Sequence, residues 1–301
     1  MLILGLGAAI IAAFCWAVSA GLYRKGSETI SPLTANLLRM IPVLGVLALV
    51  GLLLNIYPYS YSLTVIDLVL IVTSSLFAFV IGDWLYLLAL QHIGVSRATP
   101  ITATYPLFVL IIQVVFLSEP LNPLLLPAAT GICIGIILLG SQIDPSTVAT
   151  VAKSHLRLWV GAVAALATAI SWSVSIVLLS EVLKTTDMIL VAVLRLAIGL
   201  LVLTPLVMGR QVGRQEFKVN RRTWLLLGSG GIIALGVGYI AFAVALQIAG
   251  TTPATILSSL TPLFATVIAW RQIHERISWR TIIGVILCMA GIFLTAIASS
   301  L

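Results

Sequence analysis

Apolar residues run along this chain in long blocks, and polar residues are confined mainly to short breaks between them. A helix that crosses a bilayer needs about 20 mostly apolar residues. The pattern predicts ten such helices, over residues 3–23, 33–54, 66–91, 97–117, 122–141, 158–180, 187–208, 223–247, 253–270 and 279–298. The breaks carry helix-start chemistry. Ser31-Pro32, Thr99-Pro100, Asn122-Pro123 and Thr252-Pro253 each put a capping side chain before a proline whose missing N–H costs nothing in a first turn. Asp187 stands ready to cap the seventh helix. Val18-Ser19-Ala20 looks like a signal cleavage site, but no basic segment precedes the first block and its apolar run is too long. That block reads as part of the fold.

Composition changes the picture from helical to membrane-embedded. Of 301 residues, 61% are hydrophobic and 8% charged, against about 25% charged in an ordinary soluble domain. Sixteen basic and nine acidic side chains could not cover a soluble protein of this size without wide apolar patches. A soluble enzyme, a disordered chain and a secreted disulfide scaffold are excluded, and the bilayer is the expected solvent. Cys15, Cys133 and Cys288 lie in apolar runs, away from any His or Cys at metal-ligand spacing. They read as packing residues.

The two halves of the chain match at one constant offset of 156 positions. Trp16 matches Trp172, Ser19 matches Ser175, Arg39 matches Arg195, and Gly82 matches Gly238. Ala89-Leu90-Gln91 matches Ala245-Leu246-Gln247, and Pro106-Leu107-Phe108 matches Pro262-Leu263-Phe264. Chance supplies matches of Leu and Ala; it does not readily supply gap-free matches of Trp, Arg, Gln and Pro. The expected organisation is a first five-helix repeat over 1–141, a linker over 142–157 and a second repeat over 158–301. Five is odd, so tandem copies must lie in opposite orientations, as inverted repeats. Charge agrees. Of the 16 basic residues, 13 fall in alternate breaks: Arg24, Lys25, Arg97, Lys153, Arg157, Arg210, Arg214, Lys218, Arg221, Arg222, Arg271, Arg276 and Arg280. Lys184 alone lies on the other side. The net charge of +7 is therefore a topology signal and not a nucleic-acid footprint. It places the basic loops in the cytoplasm and both termini outside.

Three charges fall inside predicted spans: Arg39, Asp83 and Arg195. Each is costly in hydrocarbon unless paired or hydrated, by about 2.5–3.5 kcal/mol on insertion scales. Arg39 and Asp83 lie at similar depth and are expected to form an ion pair, either structural or part of a gate or substrate contact. Position 239, the mate of Asp83, is Tyr239. Arg195 thus lacks an equivalent carboxylate. It either faces a cavity beside Tyr239, where it would attract a carboxylate, or snorkels to the interface.

Thr102, Tyr105, Val109 and Gln113 share one face of the fourth helix. Thr255, Ser258, Pro262 and Thr266 share one face of the ninth. Pro106 and Pro262 would kink these helices and act as hinges. Trp16, Ser19 and Tyr23 line one stripe of the first helix, and Trp172 and Ser175 the matching stripe of the sixth. The tryptophans sit deep, suited either to packing or to a cavity wall; Tyr86 joins the expected route. Gly228, Gly230, Gly231, Gly236 and Gly238 permit close helix approach. Glu119 and Glu275 precede helices and read as caps. His92, His155 and His274 are scattered in loops, and no nucleotide-binding or hydrolase motif is present.

The entries Gly94-x-Ser-x-Ala98 and Gly250-x-x-x-Ala254, the paired Pro-Leu-Phe triplets and the terminal Glu119 and Glu275 resemble the drug/metabolite transporter superfamily, EamA type. The likeness covers nearly the whole chain. It implies a secondary transporter, often an exporter of amino acids or other small metabolites, with a central cavity lined from both repeats. One feature departs from small four-helix relatives that exchange drugs for protons: the first and sixth helices here carry no carboxylate.

The expectation is an all-α integral membrane transporter and not an enzyme, without cofactor or metal. It would export amino acids or related amphipathic and carboxylate solutes. Exchange of phosphorylated metabolites is the alternative within transport; a lipid-handling membrane enzyme or an accessory subunit is the alternative outside it. The partners are the lipid bilayer and a small-molecule solute, with no nucleic acid; monomer and homodimer stay open. Short loops and tails fit the plasma (inner) membrane of a prokaryote.

Overall fold

The computed structural model describes residues 1–56, 63–118, 122–140, 155–211, 219–273 and 279–298. Among these residues every regular element is helical. The first half contains α1 (Leu2–Gly26), α2 (Pro32–Leu53), α3 (Val65–Ser75), a π-helical segment (Leu76–Gly82), α4 (Asp83–Ile93), α5 (Val95–Thr102), α6 (Tyr105–Phe116) and α7 (Leu125–Gly140). The second half contains α8 (His155–Val182), α9 (Met188–Gln211), α10 (Arg221–Gly231), a second π segment (Ile232–Gly238), α11 (Tyr239–Ala249), α12 (Thr251–Ser258), α13 (Thr261–Ile273) and α14 (Trp279–Ala298). By length and composition, seven helical stretches among the described residues can cross a membrane; Leu125–Ile136 and Ile286–Thr295 are shorter apolar helices. The expected caps Glu119 and Glu275 lie outside the described residues, as do Lys153, Arg214, Lys218, His274, Arg276 and most of the expected linker.

Several helix starts use the expected chemistry. Ser31 accepts from the N–H of Thr34 at 3.2 Å, with Pro32 in the first turn of α2. Asn122 accepts from Leu124 N–H at 3.0 Å. Asp187 accepts from Ile189 and Leu190 N–H at 2.8 and 3.1 Å. Thr99-Pro100 does not start a helix: α5 begins after Gly94, and Pro100 lies within it. α12 likewise follows Gly250. Both glycines have positive φ, +74° and +87°, with ψ near 170°. That region is essentially closed to residues with a Cβ, so each glycine lets one helix end and the next begin without an intervening loop.

The expected kinks at Pro106 and Pro262 are complete breaks. α5 ends at Thr102 and α6 restarts at Tyr105, with Pro106 in its first turn. α12 ends at Ser258 and α13 restarts at Thr261. A proline in a first turn removes no intrahelical hydrogen bond. Starting a new helix is therefore the lower-energy answer.

The third span of each half differs from a straight helix in the same way. Both π segments occupy positions offset by 156, and a π turn widens the helix and misaligns its carbonyls. Neighbouring side chains hydrogen-bond to these carbonyls. Ser171 Oγ donates to Phe77 O at 2.6 Å, Asn36 Nδ2 to Phe79 O at 2.6 Å, and Trp16 Nε1 to Ala234 O at 3.2 Å. In a lipid-surrounded protein that satisfaction must come from within.

Packing crosses between halves. α1 lies against α10, the second π segment and α11; α8 lies against α3, the first π segment and α4. α7 and α14, which occupy matching places, pack mainly on each other. Two sets of ends are tied. Gln91 donates to Ser27 and Ile30 carbonyls at 2.8 and 3.0 Å, while its mate Gln247 donates to Leu183 O, the mate of Ser27, at 3.0 Å.

Glycine permits the closest crossing. A Cβ at Gly231 would collide with the Arg39 backbone carbonyl, whereas one at Gly45 would meet nothing within 4 Å. Overpacking a tight site costs about 1–3 kcal/mol. Gly231→Ala should therefore lower the apparent Tm of the purified protein in detergent by several degrees, while Gly45→Ala leaves it unchanged or raises it. Equal melting of the two variants would show that α2 and α10 are not held together there.

Candidate functional site

A cavity of about 140 Å³ lies where the two halves meet. Eleven of the expected site residues line it: Trp16, Tyr23, Arg39, Asp83, Tyr86, Thr102, Tyr105, Trp172, Ser175, Arg195 and Tyr239. Two do not. Ser19 is fully buried and donates to Cys15 O at 2.8 Å on its own helix. Ser258 sits behind the wall, 2.5 Å from the Tyr105 hydroxyl. Of the two prolines, Pro106 is buried at the start of α6 and Pro262 packs at the start of α13; neither lines the cavity.

The charges are arranged unequally. Arg39 and Asp83 form an ion pair, with only 1% and 5% of each residue exposed. Arg39 Nε also donates to Asn36 Oδ1 at 3.1 Å, and its guanidinium lies 4.5 Å from the Tyr23 ring centroid. Trp172 Nε1 donates to the other Asp83 oxygen at 3.1 Å. The pair thus joins α2, α4 and α8. Arg195 is 3% exposed, so it is held inside the bundle and does not snorkel. One terminal nitrogen donates to Ser175 Oγ at 2.7 Å and Ser74 O at 3.2 Å. Its guanidinium lies 5.0 Å from the Phe79 ring and 5.7 Å from the Tyr239 ring. Arg195 Nε and the Tyr239 hydroxyl are buried without a hydrogen-bond partner.

The aromatic walls repeat the crossing of the halves. Trp16 packs on Phe242 with ring centroids 5.3 Å apart, and Trp172 packs on Tyr86 at 5.1 Å. Phe242 is the mate of Tyr86, as Trp172 is of Trp16. Gly82 and Gly238 make room for these rings: a Cβ would come within 2.7 Å of Trp172 and 3.1 Å of Trp16 Nε1.

Beside the cavity, α6 and α12 are joined. The Tyr105 hydroxyl donates to Thr255 O at 3.1 Å, and Thr252 Oγ1 donates to Gln113 Oε1 at 2.6 Å. The matching positions are Thr99 and Thr102 on α5 and Thr261 on α13, which line the cavity. Their hydroxyls donate to carbonyls of their own helices or the adjoining turn.

Sequence reasoning missed Thr99, Thr261, Phe79 and Phe242 as wall residues. Thr99, Thr261 and Phe242 carried a signal: each sits beside, or is the mate of, a residue already singled out. Phe79 carried none, because it reaches the cavity through the π turn. Among the described residues, no group of three or more His, Cys, Asp or Glu could hold a metal.

The EamA-like transporter family model matches residues 3–141 and again 159–297. The chain belongs to the EamA-like transporter family. It is a multi-pass membrane protein of a transporter family. An uncharacterized transporter of Archaeoglobus fulgidus is 27% identical over 289 residues, covering 95% of each chain. A solved crystal structure of a protein superposes with a TM-score of 0.76 at 16% identity, covering 96% of this chain and 94% of that one. That likeness is one of fold.

Leaving one member of a buried ion pair alone costs about 3–5 kcal/mol, whereas replacing both by apolar groups costs little. Asp83→Asn should therefore lower the apparent Tm strongly, and adding Arg39→Met should recover much of the loss. A purely additive loss in this double-mutant cycle would mean that the two side chains do not depend on each other.

Proposed function

We propose that this chain is a ten-span secondary transporter that works by alternating access. Its repeats over 1–141 and 158–301, joined by a linker over 142–157, lie in opposite orientations in the plasma (inner) membrane. Both termini are outside and the basic loops cytoplasmic. The transported solutes are small amphipathic metabolites, amino acids or related carboxylates, and export follows the resemblance to the drug/metabolite transporters.

The observation that carries this reading is the cavity itself, walled by matching residues of the two halves and lined by Arg39, Asp83 and Arg195. The supporting geometry is directional. Arg24, near the end of α1, and Arg157, near the start of α8, line one cleft with Gln91 and His92. The first helices of the two repeats then run oppositely, as an inverted pair requires. The bonds from Tyr105 and Gln113 hold α6 against α12 at the end of α6 that carries Gln113. In the proposed topology that end faces outward. A carrier with two related gates, one latched and one free, is a device for moving a solute from one side to the other.

Purified protein in proteoliposomes should show solute counterflow with an amino acid or organic acid. Arg195→Ala should reduce uptake at least ten-fold at low solute concentration, and Arg39→Ala should also impair it. Absence of counterflow across a broad panel would refute transport by this chain alone. Unchanged flux and Km in both arginine variants would remove the cavity from the solute's route.

A further inference from the structure

Resting on that transport reading, we propose that the cavity selects carboxylates that carry no neighbouring ammonium: monocarboxylic acids with an apolar body, in preference to α-amino acids. Among the described residues, three side chains on the wall carry a charge at neutral pH: Arg39, Asp83 and Arg195. Asp83 is committed. Arg39 takes one carboxylate oxygen and Trp172 Nε1 the other. The pair is neutral as a unit, so the chamber holds one uncompensated positive charge, on Arg195.

That charge comes with unused donors. The residues Arg195 and Tyr239 are both more than nine-tenths buried; Arg195 Nε and the Tyr239 hydroxyl make no hydrogen bond, although the guanidinium lies 5.7 Å from the Tyr239 ring. A buried donor without an acceptor is unfavourable, and a carboxylate brings two acceptor oxygens and one negative charge. A single guanidinium without a carboxylate partner matches a monoanion. A phosphate dianion would need a second, and Arg39 is already neutralised.

An ammonium finds no comparable place. The described wall offers it no uncommitted carboxylate. Two of the aromatic rings on the wall already hold a cation: Tyr23 holds Arg39, and Phe79 holds Arg195. Trp16 and Trp172 pack on Phe242 and Tyr86. Thr99, Thr102 and Thr261 offer only hydroxyl oxygens, without a charge to balance the cation. A zwitterion would bring its ammonium into a chamber that is already net positive, and charges repel strongly where water is scarce. The rest of the wall is largely apolar, including Ala78, Ala103, Ile176, Leu179 and Leu235, and suits a hydrocarbon body.

The test uses solutes that share a skeleton and differ in head group. Binding to the purified full-length protein is measured by calorimetry and thermal shift at neutral pH. The probes are 4-methylpentanoate, leucine and isopentylamine, then 3-phenylpropionate, phenylalanine and phenethylamine. In at least one series the carboxylate should bind about ten-fold tighter than the amino acid, and the amine should not bind. Arg195→Gln should abolish that preference and Tyr239→Phe should weaken carboxylate binding several-fold. The wild-type ranking is decisive even if a variant fails to fold. Equal or tighter binding of the amino acids, binding of the amines, or no carboxylate binding in either series overturns the proposal. Counterflow separates the two readings. A carboxylate that binds selectively but is not moved leaves the selectivity standing and defeats transport; preferred movement of leucine or phenylalanine does the reverse.

Discussion

Charge inside an apolar bundle is the constraint around which this molecule is organised. A guanidinium or carboxylate among lipid-solvated helices is stable only where other groups surround it. Arg39 and Asp83 meet this need by pairing, and Asn36, Tyr23 and Trp172 complete their surroundings. These contacts bring α1, α2, α4 and α8 to one point. Arg195 meets it differently, through Ser175 and the Ser74 carbonyl, and so ties α9 to α3 and α8. Ser75 Oγ, donating to Arg195 O at 2.6 Å, closes the same junction through the backbone. The π segments belong to this arrangement. Phe79, on the first, lies beside the Arg195 guanidinium, and its carbonyl holds Asn36 in place for Arg39.

The two halves share a backbone plan but not a chemistry. Helix breaks, π segments and positive-φ glycines recur at the same offset. At a few places the side chains part company: Asp83 against Tyr239, Tyr105 against Thr261, Gln113 against Ala269. The first difference leaves one arginine neutralised and the other open. The other two give one end of the cavity a phenol and an amide long enough to bridge α6 and α12, where the matching residues carry a short hydroxyl and a methyl. A symmetric scaffold thus acquires a charged side and a latched end through a few substitutions.

Much of this was legible in the chain. Apolar block length is a direct consequence of bilayer thickness, so most helices appear near their expected places. The 156-residue offset singled out Trp16, Trp172, Arg39 and Arg195, and the structure brings all four to one cavity. Other features were not legible. Pro106 and Pro262 read as kinks, because a one-dimensional pattern cannot say whether a proline bends a helix or begins the next. The π segments left no mark, since their residues are as apolar as any others. Phe79, on the first of them, therefore escaped notice, although it lines the cavity.

The sequence by itself determined that the chain lives in lipid, that it consists of two related halves, and which few charges had to be accommodated. Each follows from local quantities: hydropathy, spacing and residue identity. Only the tertiary structure decided that Arg195 stays inside, that Asp83 is fully engaged, and that Tyr105 reaches Ser258 while Thr261 bonds within its own chain segment. Those outcomes depend on distances between helices far apart in the chain. A hydrogen bond exists only where donor and acceptor come within about 3 Å, and no pattern along one strand of sequence contains that distance.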